Sequence, residues 1–149
     1  MALPVALQLY SVRDELEADF EGTIAKVRKF GYDGVEFAGL YGRSAEQVRK
    51  ILADAGLTPV SAHVPLDELL GDTQAVVATY KEIGCKYIVV PYLPEDRRPG
   101  TEGFDRTIED IKKIADVCNA QGVRLLYHNH DFEFKKLDGK YALDILYSE

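Results

Sequence analysis

The 149-residue chain has few cysteines and no long apolar run, and each shortage excludes a class of protein. Cys85 and Cys118 are too few for a disulfide scaffold and lack C-x-x-C spacing, so we expect two buried free thiols. No apolar stretch approaches the roughly 20 residues of a membrane-spanning helix. The N-terminus lacks the basic and then apolar segments of a secretion signal. We therefore expect a cytoplasmic protein with no membrane partner.

Positive charge is also scarce, because 18 Lys and Arg face 25 Asp and Glu and leave a net charge of −7. Nucleic-acid backbones are bound by clustered Lys and Arg, so we expect no nucleic-acid partner. A small substrate that is neutral, or that binds with the help of a cation, fits this composition better. A Gly-rich phosphate loop is missing after the first apolar run, where LYSVRDEL stands. This disfavours a flavodoxin-like open sheet, an alternative that otherwise suits the length.

What the chain does contain is a repeat in which a helical stretch ends at a glycine and a short aliphatic run follows. The glycines are Gly31, Gly56, Gly84 and Gly122, and the runs are GVEFAG, PVSAHVP, YIVVPYL and VRLLYHNH. A fifth run, PVALQLYS, opens the chain without a helix before it. The order βαβαβαβαβ predicts an α/β fold of parallel (βα) repeats. A hydrophobic content of 46% with 29% charged residues is sufficient for the core of one soluble domain.

The helices are predicted from apolar positions that recur with the helical period. The first is capped by Asp14 or Asp19, and its apolar positions are Phe20, Ile24, Val27 and Phe30. The second starts near Ser44 with a Ser44-x-x-Gln47 capping box and ends at Gly56. The third runs from about Asp72 or Thr73 to Gly84, and the fourth from about Gly103 to Gln121. We assign the apolar stripe of the fourth helix to the core. A turn at Asp138-Gly139 precedes a last helix from about Tyr141. The end at Glu149, inside an amphipathic segment, predicts a truncated domain.

A long polar loop, PYLPEDRRPGTEGF, separates the fourth strand from the fourth helix. Loops of this length at the ends of strands often cover an active site. Arg97 and Arg98 either contact an anionic group of a substrate there or are simply solvated, and the sequence leaves both alternatives open.

Each aliphatic run becomes polar only near its C-terminal end. These polar residues are Gln8, Tyr10, Glu36, His63, Tyr92, His128, Asn129 and His130. In parallel α/β sheets and barrels the substrate lies outside the carboxyl ends of the strands. The sequence therefore predicts one shared site.

Three segments, LQLYSVRD, SAHVP and HNHDFEF, give the chain a resemblance to the sugar phosphate isomerase/epimerase family of xylose-isomerase-like TIM barrels. The resemblance extends over all 149 residues but only over the first half, or slightly more, of a family member. It implies a single domain over residues 1–149 with about five strands of an eight-stranded barrel, a half-barrel. It also implies a divalent metal (Mn, Mg, Co or Zn) and proton transfer next to a carbonyl group on a sugar or polyol.

The resemblance also implies roles for individual residues. His128 stands where many relatives carry a glutamate metal ligand, and imidazole suits Zn or Mn better than Mg. His63, Glu36 and Glu133 are the implied catalytic residues; Glu133 is also an alternative carboxylate ligand, and Glu36 matches a glutamate that orients its polar neighbours. The implied substrate-binding residues are Tyr10, Tyr92, Asn129 and His130. Metal ligands in the family come from strands five to eight, so one ligand position here would not hold a metal tightly.

A half-barrel leaves the first and fifth strands without neighbours on one side, which favours a homo-oligomer formed through the open edges. Two hypotheses follow. In the first, the chain is part of a sugar or polyol isomerase/epimerase and is inactive alone. In the second, it is a non-catalytic, self-associating α/β module. The nuclease branch of the superfamily fits less well, because it would need a basic groove and more histidine ligands than His63, His128 and His130.

Overall fold

The computed structural model describes residues 3–148, and its centre is a five-stranded parallel sheet. The strands are β1 (Ala6–Gln8), β2 (Gly34–Ala38), β3 (Thr58–His63), β4 (Tyr87–Val90) and β5 (Arg124–Tyr127). Their order in space is the order in the chain, and every pairing is parallel. Doubly wound sheets reverse their strand order at a switch point, whereas barrels do not. The structure therefore has the topology of an incomplete TIM barrel, and the predicted (βα) repeat is confirmed.

Helices connect the strands, and a small hairpin follows β5. The elements are α1 (Arg13–Ala18), α2 (Phe20–Lys29), α3 (Ala45–Ala55), α4 (Leu66–Gly71), α5 (Thr73–Ile83), α6 (Phe104–Ala120), the antiparallel pair β6 (Lys136–Leu137) and β7 (Lys140–Tyr141), and α7 (Ala142–Ser148). The predicted turn at Asp138-Gly139 is confirmed, with left-handed φ angles of 49° and 86° that suit a two-residue hairpin. The sequence did not predict α4 or the hairpin. Glu149, where the predicted truncation falls, lies outside the described residues.

The predicted helix boundaries have clear local causes. The Ser44 hydroxyl accepts from the Gln47 backbone N–H at 3.3 Å, and the Gln47 side chain accepts from the Ser44 N–H at 2.9 Å, so the capping box is confirmed. Asp19 caps α2 by accepting from Gly22 N at 3.0 Å, and it separates α1 from α2. Phe30, which the helical period placed among the apolar positions of the first helix, follows the last residue of α2 and is 77% exposed.

The two faces of the sheet have different roles because side chains alternate along a strand. Val35, Phe37, Ala62 and Ile88 are fully buried in the core with side chains of the helices. Glu36 lies on the other face, where its carboxylate contacts Ser61 and His63 of β3. The core therefore forms on the helix side and leaves polar residues on the opposite side.

The fourth predicted helix is confirmed as α6, but its apolar stripe is only half core. Phe104, Ile114 and Cys118 are buried. Ile108 and Ile111 are half-buried and line an apolar groove of about 200 Å³ beside β5. The groove lies where the sequence predicted only core.

Both cysteines are buried free thiols, as predicted. Burial raises the pKa of Cys85 to about 12 and that of Cys118 to about 11. None of the helices within residues 3–148 is long and apolar enough to span a membrane.

Candidate functional site

A cleft of about 530 Å³ lies at the carboxyl ends of the strands. Six of the polar strand-end residues that predicted one shared site line it together: Gln8, Tyr10, His63, Tyr92, His128 and His130. They come from the ends of β1, β3, β4 and β5, which the parallel topology brings to one edge of the sheet. The position of the cleft is therefore the one that the strand pattern predicts.

Glu36 is the most strongly bonded side chain at this edge. One carboxylate oxygen, Oε1, lies 3.1 Å from Nε2 of His63 and accepts from the Gln8 amide at 2.9 Å. The other, Oε2, accepts from the Ser61 hydroxyl at 2.5 Å. The hydrogen bond from His63, aided by those from Ser61 and Gln8, outweighs burial and lowers the pKa of Glu36 from 4.5 to about 2. Glu36 is therefore ionised at neutral pH, with its oxygens occupied, and is suited to orient His63 rather than to accept a substrate proton.

The Glu36 contact also determines which nitrogen of His63 is basic. A carboxylate can only accept, so the Nε2 of His63 carries the proton that it donates to Glu36. In the neutral imidazole Nδ1 then keeps its lone pair. Only 11% of the His63 side chain is exposed, so its orientation is well determined. A positioned imidazole with a free lone pair is a suitable general base.

The other two histidines extend this arrangement across the cleft. The His128 ring centroid is 5.0 Å from that of His63 and 5.1 Å from that of His130, both edge to face. Burial, followed by the neighbouring His63 and His130, lowers the pKa of His128. The neutral form of His128 is therefore favoured. All three histidines of the chain line this one cleft.

Glu133 and Asn129 do not line the cleft. Glu133 is fully buried; it accepts from the Tyr127 hydroxyl and, at 2.7 Å, from the His130 backbone N–H. Burial and then the Glu133 hydrogen bond raise the pKa of Tyr127. Asn129 is exposed and donates to the His130 carbonyl at 3.2 Å. Through its hydrogen bonds from Tyr127 and His130, Glu133 holds the segment after β5 in position. Its buried position does not support the catalytic role that the resemblance implied.

Two residues of the site were missed by the sequence reasoning. Ser61 lies two residues before His63 on β3, so strand alternation places both side chains on one face and could have identified it. Glu68 lines the cleft from α4, and no sequence pattern signalled that helix.

The loop between β4 and α6 is held in place by Arg97, whose role matches neither of the two alternatives that the sequence left open. Its guanidinium donates to the Thr107 hydroxyl at 3.0 Å and to the Asp110 carboxylate at 2.6 Å. This pairing lowers the pKa of Asp110. Arg97 therefore anchors the loop to α6, and it is neither simply solvated nor directed at the cleft. Gly103 completes the anchor, because a Cβ there would lie 2.3 Å from the Asp96 carbonyl oxygen.

The donor set does not make a complete metal site. Among residues 3–148, no group of three His, Cys, Asp or Glu side chains converges in a way that could hold a metal ion. The three histidines supply imidazoles, but the Glu36 carboxylate beside His63 already accepts from Ser61 and Gln8.

Comparisons with known proteins agree with this architecture. Residues 24–145 match the model of the xylose isomerase-like TIM barrel family. Inosose dehydratase of Geobacillus thermodenitrificans (strain NG80-2) is 25% identical over 134 residues, which cover 76% of this chain and 45% of that protein. The chain therefore spans about half the length of the curated relative that it matches.

Solved structures show the same fold. A sugar phosphate isomerase/epimerase from Parabacteroides distasonis matches with a TM-score of 0.80 at 21% identity, over 97% of this chain and 60% of that one. The IOLI protein, solved with a bound zinc atom, matches with a TM-score of 0.61 at 17% identity, over 84% of this chain and 51% of that one. With most of its length matched by the family model and its five strands in barrel order, the chain belongs to the xylose isomerase-like TIM barrel family.

Proposed function

We propose that the chain carries part of the active site of a sugar or polyol isomerase/epimerase, an enzyme that moves a proton next to a carbonyl group. The observation that carries this proposal is the Glu36–His63 pair at the strand-end cleft, with two further imidazoles beside it. The family supports it, as do the names of the relatives, which refer to an inosose and to sugar phosphates. In this proposal the five strands are the first five of a single eight-stranded barrel.

The proposed chemistry begins with His63. Its Nδ1 takes the proton from the carbon next to the substrate carbonyl, while ionised Glu36 holds Nε2 and stabilises the imidazolium that forms. The imidazoles of His128 and His130 face the same cleft and offer hydrogen bonds to the enediolate oxygen. The hydroxyls of Tyr10 and Tyr92, which both line the cleft, bind substrate oxygens. Isomerisation follows when His63 returns the proton to the former carbonyl carbon while the proton of the neighbouring hydroxyl passes to the enediolate oxygen. Epimerisation follows when a proton from solvent reaches the original carbon from the opposite face and His63 releases its own proton to solvent.

In this proposal His128 is the one side chain assigned as a ligand for the divalent metal of the family. Imidazole suits Zn, Mn or Co better than Mg, and the neutral form favoured at His128 is the one that binds metal. Since the described residues do not complete a metal site, every step above is assigned to the side chains of this chain.

We further propose that the chain binds a sugar or polyol without turning it over at an enzymatic rate when it acts alone. It spans 45% of the inosose dehydratase and 60% of the isomerase/epimerase that it matches, and its donor set for a metal is incomplete. The test is exchange of the proton next to the carbonyl of an inosose or a ketose in D₂O, followed by NMR with added Mn²⁺, Mg²⁺, Co²⁺ or Zn²⁺. Calorimetry measures binding in parallel.

The expected result is binding that His63→Gln weakens, without exchange above the buffer rate. Metal-dependent exchange would refute the claim of inactivity. If His63→Gln abolished that exchange and the exposed control Glu109→Gln left it unchanged, the proposed chemistry would be established. Absence of binding would refute the assignment of the cleft.

The second hypothesis, a non-catalytic and self-associating module, is favoured by the edges of the sheet. β1 and β5 each pair with only one strand among residues 3–148. Leu126 on β5 is 36% exposed, and the apolar groove of Ile108 and Ile111 lies beside it. Open edges and exposed apolar surface promote association. Light scattering on a sizing column tests this homo-oligomer: a dimer or larger assembly supports it, and a monomer at every concentration contradicts it.

A further inference from the structure

Arg98 is held in a defined position against two aromatic rings, one of which, Tyr92, lines the cleft. Its guanidinium carbon lies 4.3 Å from the Phe132 ring centroid and 4.9 Å from the Tyr92 ring centroid. Its Nε donates to the Leu93 carbonyl at 3.0 Å, and its Nη2 donates to the Tyr92 hydroxyl. These four contacts fix the orientation of the guanidinium, so Arg98 is not simply solvated.

The two rings that Arg98 contacts belong to different loops and meet a third ring. Tyr92 follows β4 and Phe132 follows β5, and their centroids are 6.3 Å apart. His130 stacks on Phe132 at 5.4 Å with an interplanar angle of 6° and meets Tyr92 edge to face at 5.8 Å. Tyr92 and His130 line the cleft. Arg98 therefore ties together two loops that present side chains to the site.

The chemistry of the Arg98–Tyr92 contact determines what Tyr92 can do. A tyrosine hydroxyl has one proton to donate and can accept, whereas a guanidinium has donors and no acceptor. The Tyr92 hydroxyl must therefore accept from Arg98. Among residues 3–148 its hydrogen-bond partner is Arg98. The side chain is 46% exposed and lines the cleft, so its own O–H is available to a ligand. A positive partner on the oxygen also polarises the O–H and strengthens it as a donor.

We propose that Arg98 is a positioning residue that fixes Tyr92 as a hydrogen-bond donor to an oxygen acceptor of the bound ligand, a carbonyl or hydroxyl oxygen of a sugar or polyol. The ligand class rests on the proposed function, whereas the action of Arg98 on Tyr92 rests on the geometry alone. Tyr92 would then contribute to specificity, because a site built to donate one hydrogen bond disfavours ligands that lack the acceptor.

Binding of an inosose to four proteins tests the proposal: wild type, Tyr92→Phe, Arg98→Met and the double variant. Each single change is expected to weaken binding by about three- to tenfold, the effect of one lost hydrogen bond. Because both changes disrupt the same hydrogen bond to the ligand, the double variant should bind no more weakly than the weaker-binding of the two single variants. Arg106→Met, which removes an arginine whose side chain is 81% exposed on α6, is the control and should bind like wild type. Additive losses, or full affinity in Arg98→Met, would overturn the proposal.

A spectroscopic measurement tests the action of Arg98 without any ligand. In protein labelled at tyrosine Cζ with ¹³C, the Tyr92 resonance is identified by its absence in Tyr92→Phe. Arg98→Met should shift that resonance, and Arg106→Met should leave it in place. If Arg98→Met fails to fold, Arg98→Lys takes its place, because lysine keeps the charge but loses the planar fork.

An unmoved Tyr92 resonance in a folded Arg98 variant would refute the positioning role. A shifted resonance in a protein that binds no inosose would uphold that role and refute the proposed function, so the two failures are distinguishable.

Discussion

Replacing Glu36 with glutamine should destabilise the protein in a pH-dependent way. The substitution removes the charge that His63, Ser61 and Gln8 surround but keeps the size of the side chain. The folded protein lowers the pKa of Glu36 from 4.5 to about 2, so the ionised form is stabilised by folding. Because the pKa is lowered, this stabilisation is present above the unfolded value of 4.5 and is lost as the pH falls toward about 2.

The size of the effect follows from the shift and from the exposure of the side chain. At about 1.36 kcal/mol per pKa unit, the shift of Glu36 corresponds to an upper limit of roughly 3.4 kcal/mol. The side chain is 23% exposed at the edge of an open cleft, so solvent screening reduces this value. We expect Glu36→Gln to lower the free energy of unfolding by about 1–2 kcal/mol at pH 7.

Urea denaturation followed by circular dichroism measures this difference at pH 7 and at steps down to about pH 3. The gap between wild type and Glu36→Gln should shrink as the pH falls below 4.5. Glu109→Gln, at an exposed position on α6, controls for the loss of one negative charge. A gap that stays constant over this range, or that appears equally in Glu109→Gln, would refute the account of Glu36.

Three further predictions concern the elements that hold the site, all measured by urea denaturation. Glu133→Ala should lower the free energy of unfolding by about 2–3 kcal/mol, because it leaves the Tyr127 hydroxyl and the His130 N–H without their partner. Tyr127→Phe removes only one of these hydrogen bonds and should cost about 1 kcal/mol. Equal costs would contradict the role of Glu133 in holding the segment after β5. Arg97→Met should lower the free energy of unfolding by about 1–2 kcal/mol. The loss is smaller than for a fully buried ion pair, because Asp110 keeps two more distant cationic neighbours, Arg106 and Lys113. Ser44→Ala should cost about 1 kcal/mol through its lost cap, and an unchanged stability would show that the box is not formed in solution.

The predictable part of the fold is the part that has a strong local signal. The five strands and the long helices were predictable because apolar residues recur with the strand or helix period and glycines follow the helix ends. Gly56 and Gly84 do adopt the left-handed conformation that ends α3 and α5. The short helix α4 was missed, because six residues give too little periodicity to distinguish a helix from a loop.

The position of the strand-end cleft was predictable, whereas the roles of its residues stay predictions. Strand order places His63, His128 and Tyr92 together, since parallel strands end at one edge. The burial of Glu133 was not predictable from HDFEF, because it depends on the short turn that directs this carboxylate toward Tyr127 and away from the cleft. Likewise, the position of Arg98 depends on rings from two loops that are distant in sequence.

The central claim, that the strand-end cleft is a site for a sugar or polyol, is tested most directly by the histidine spectrum. The chain has three histidines and all three line the cleft, so ¹³C-labelled imidazoles give three signals that report on the site and on nothing else. Titration with an inosose should shift the signals of His63 and His128 saturably, and His63→Gln should weaken the shift of the His128 signal. Three signals that stay fixed at millimolar inosose, while the protein remains folded, would contradict the account.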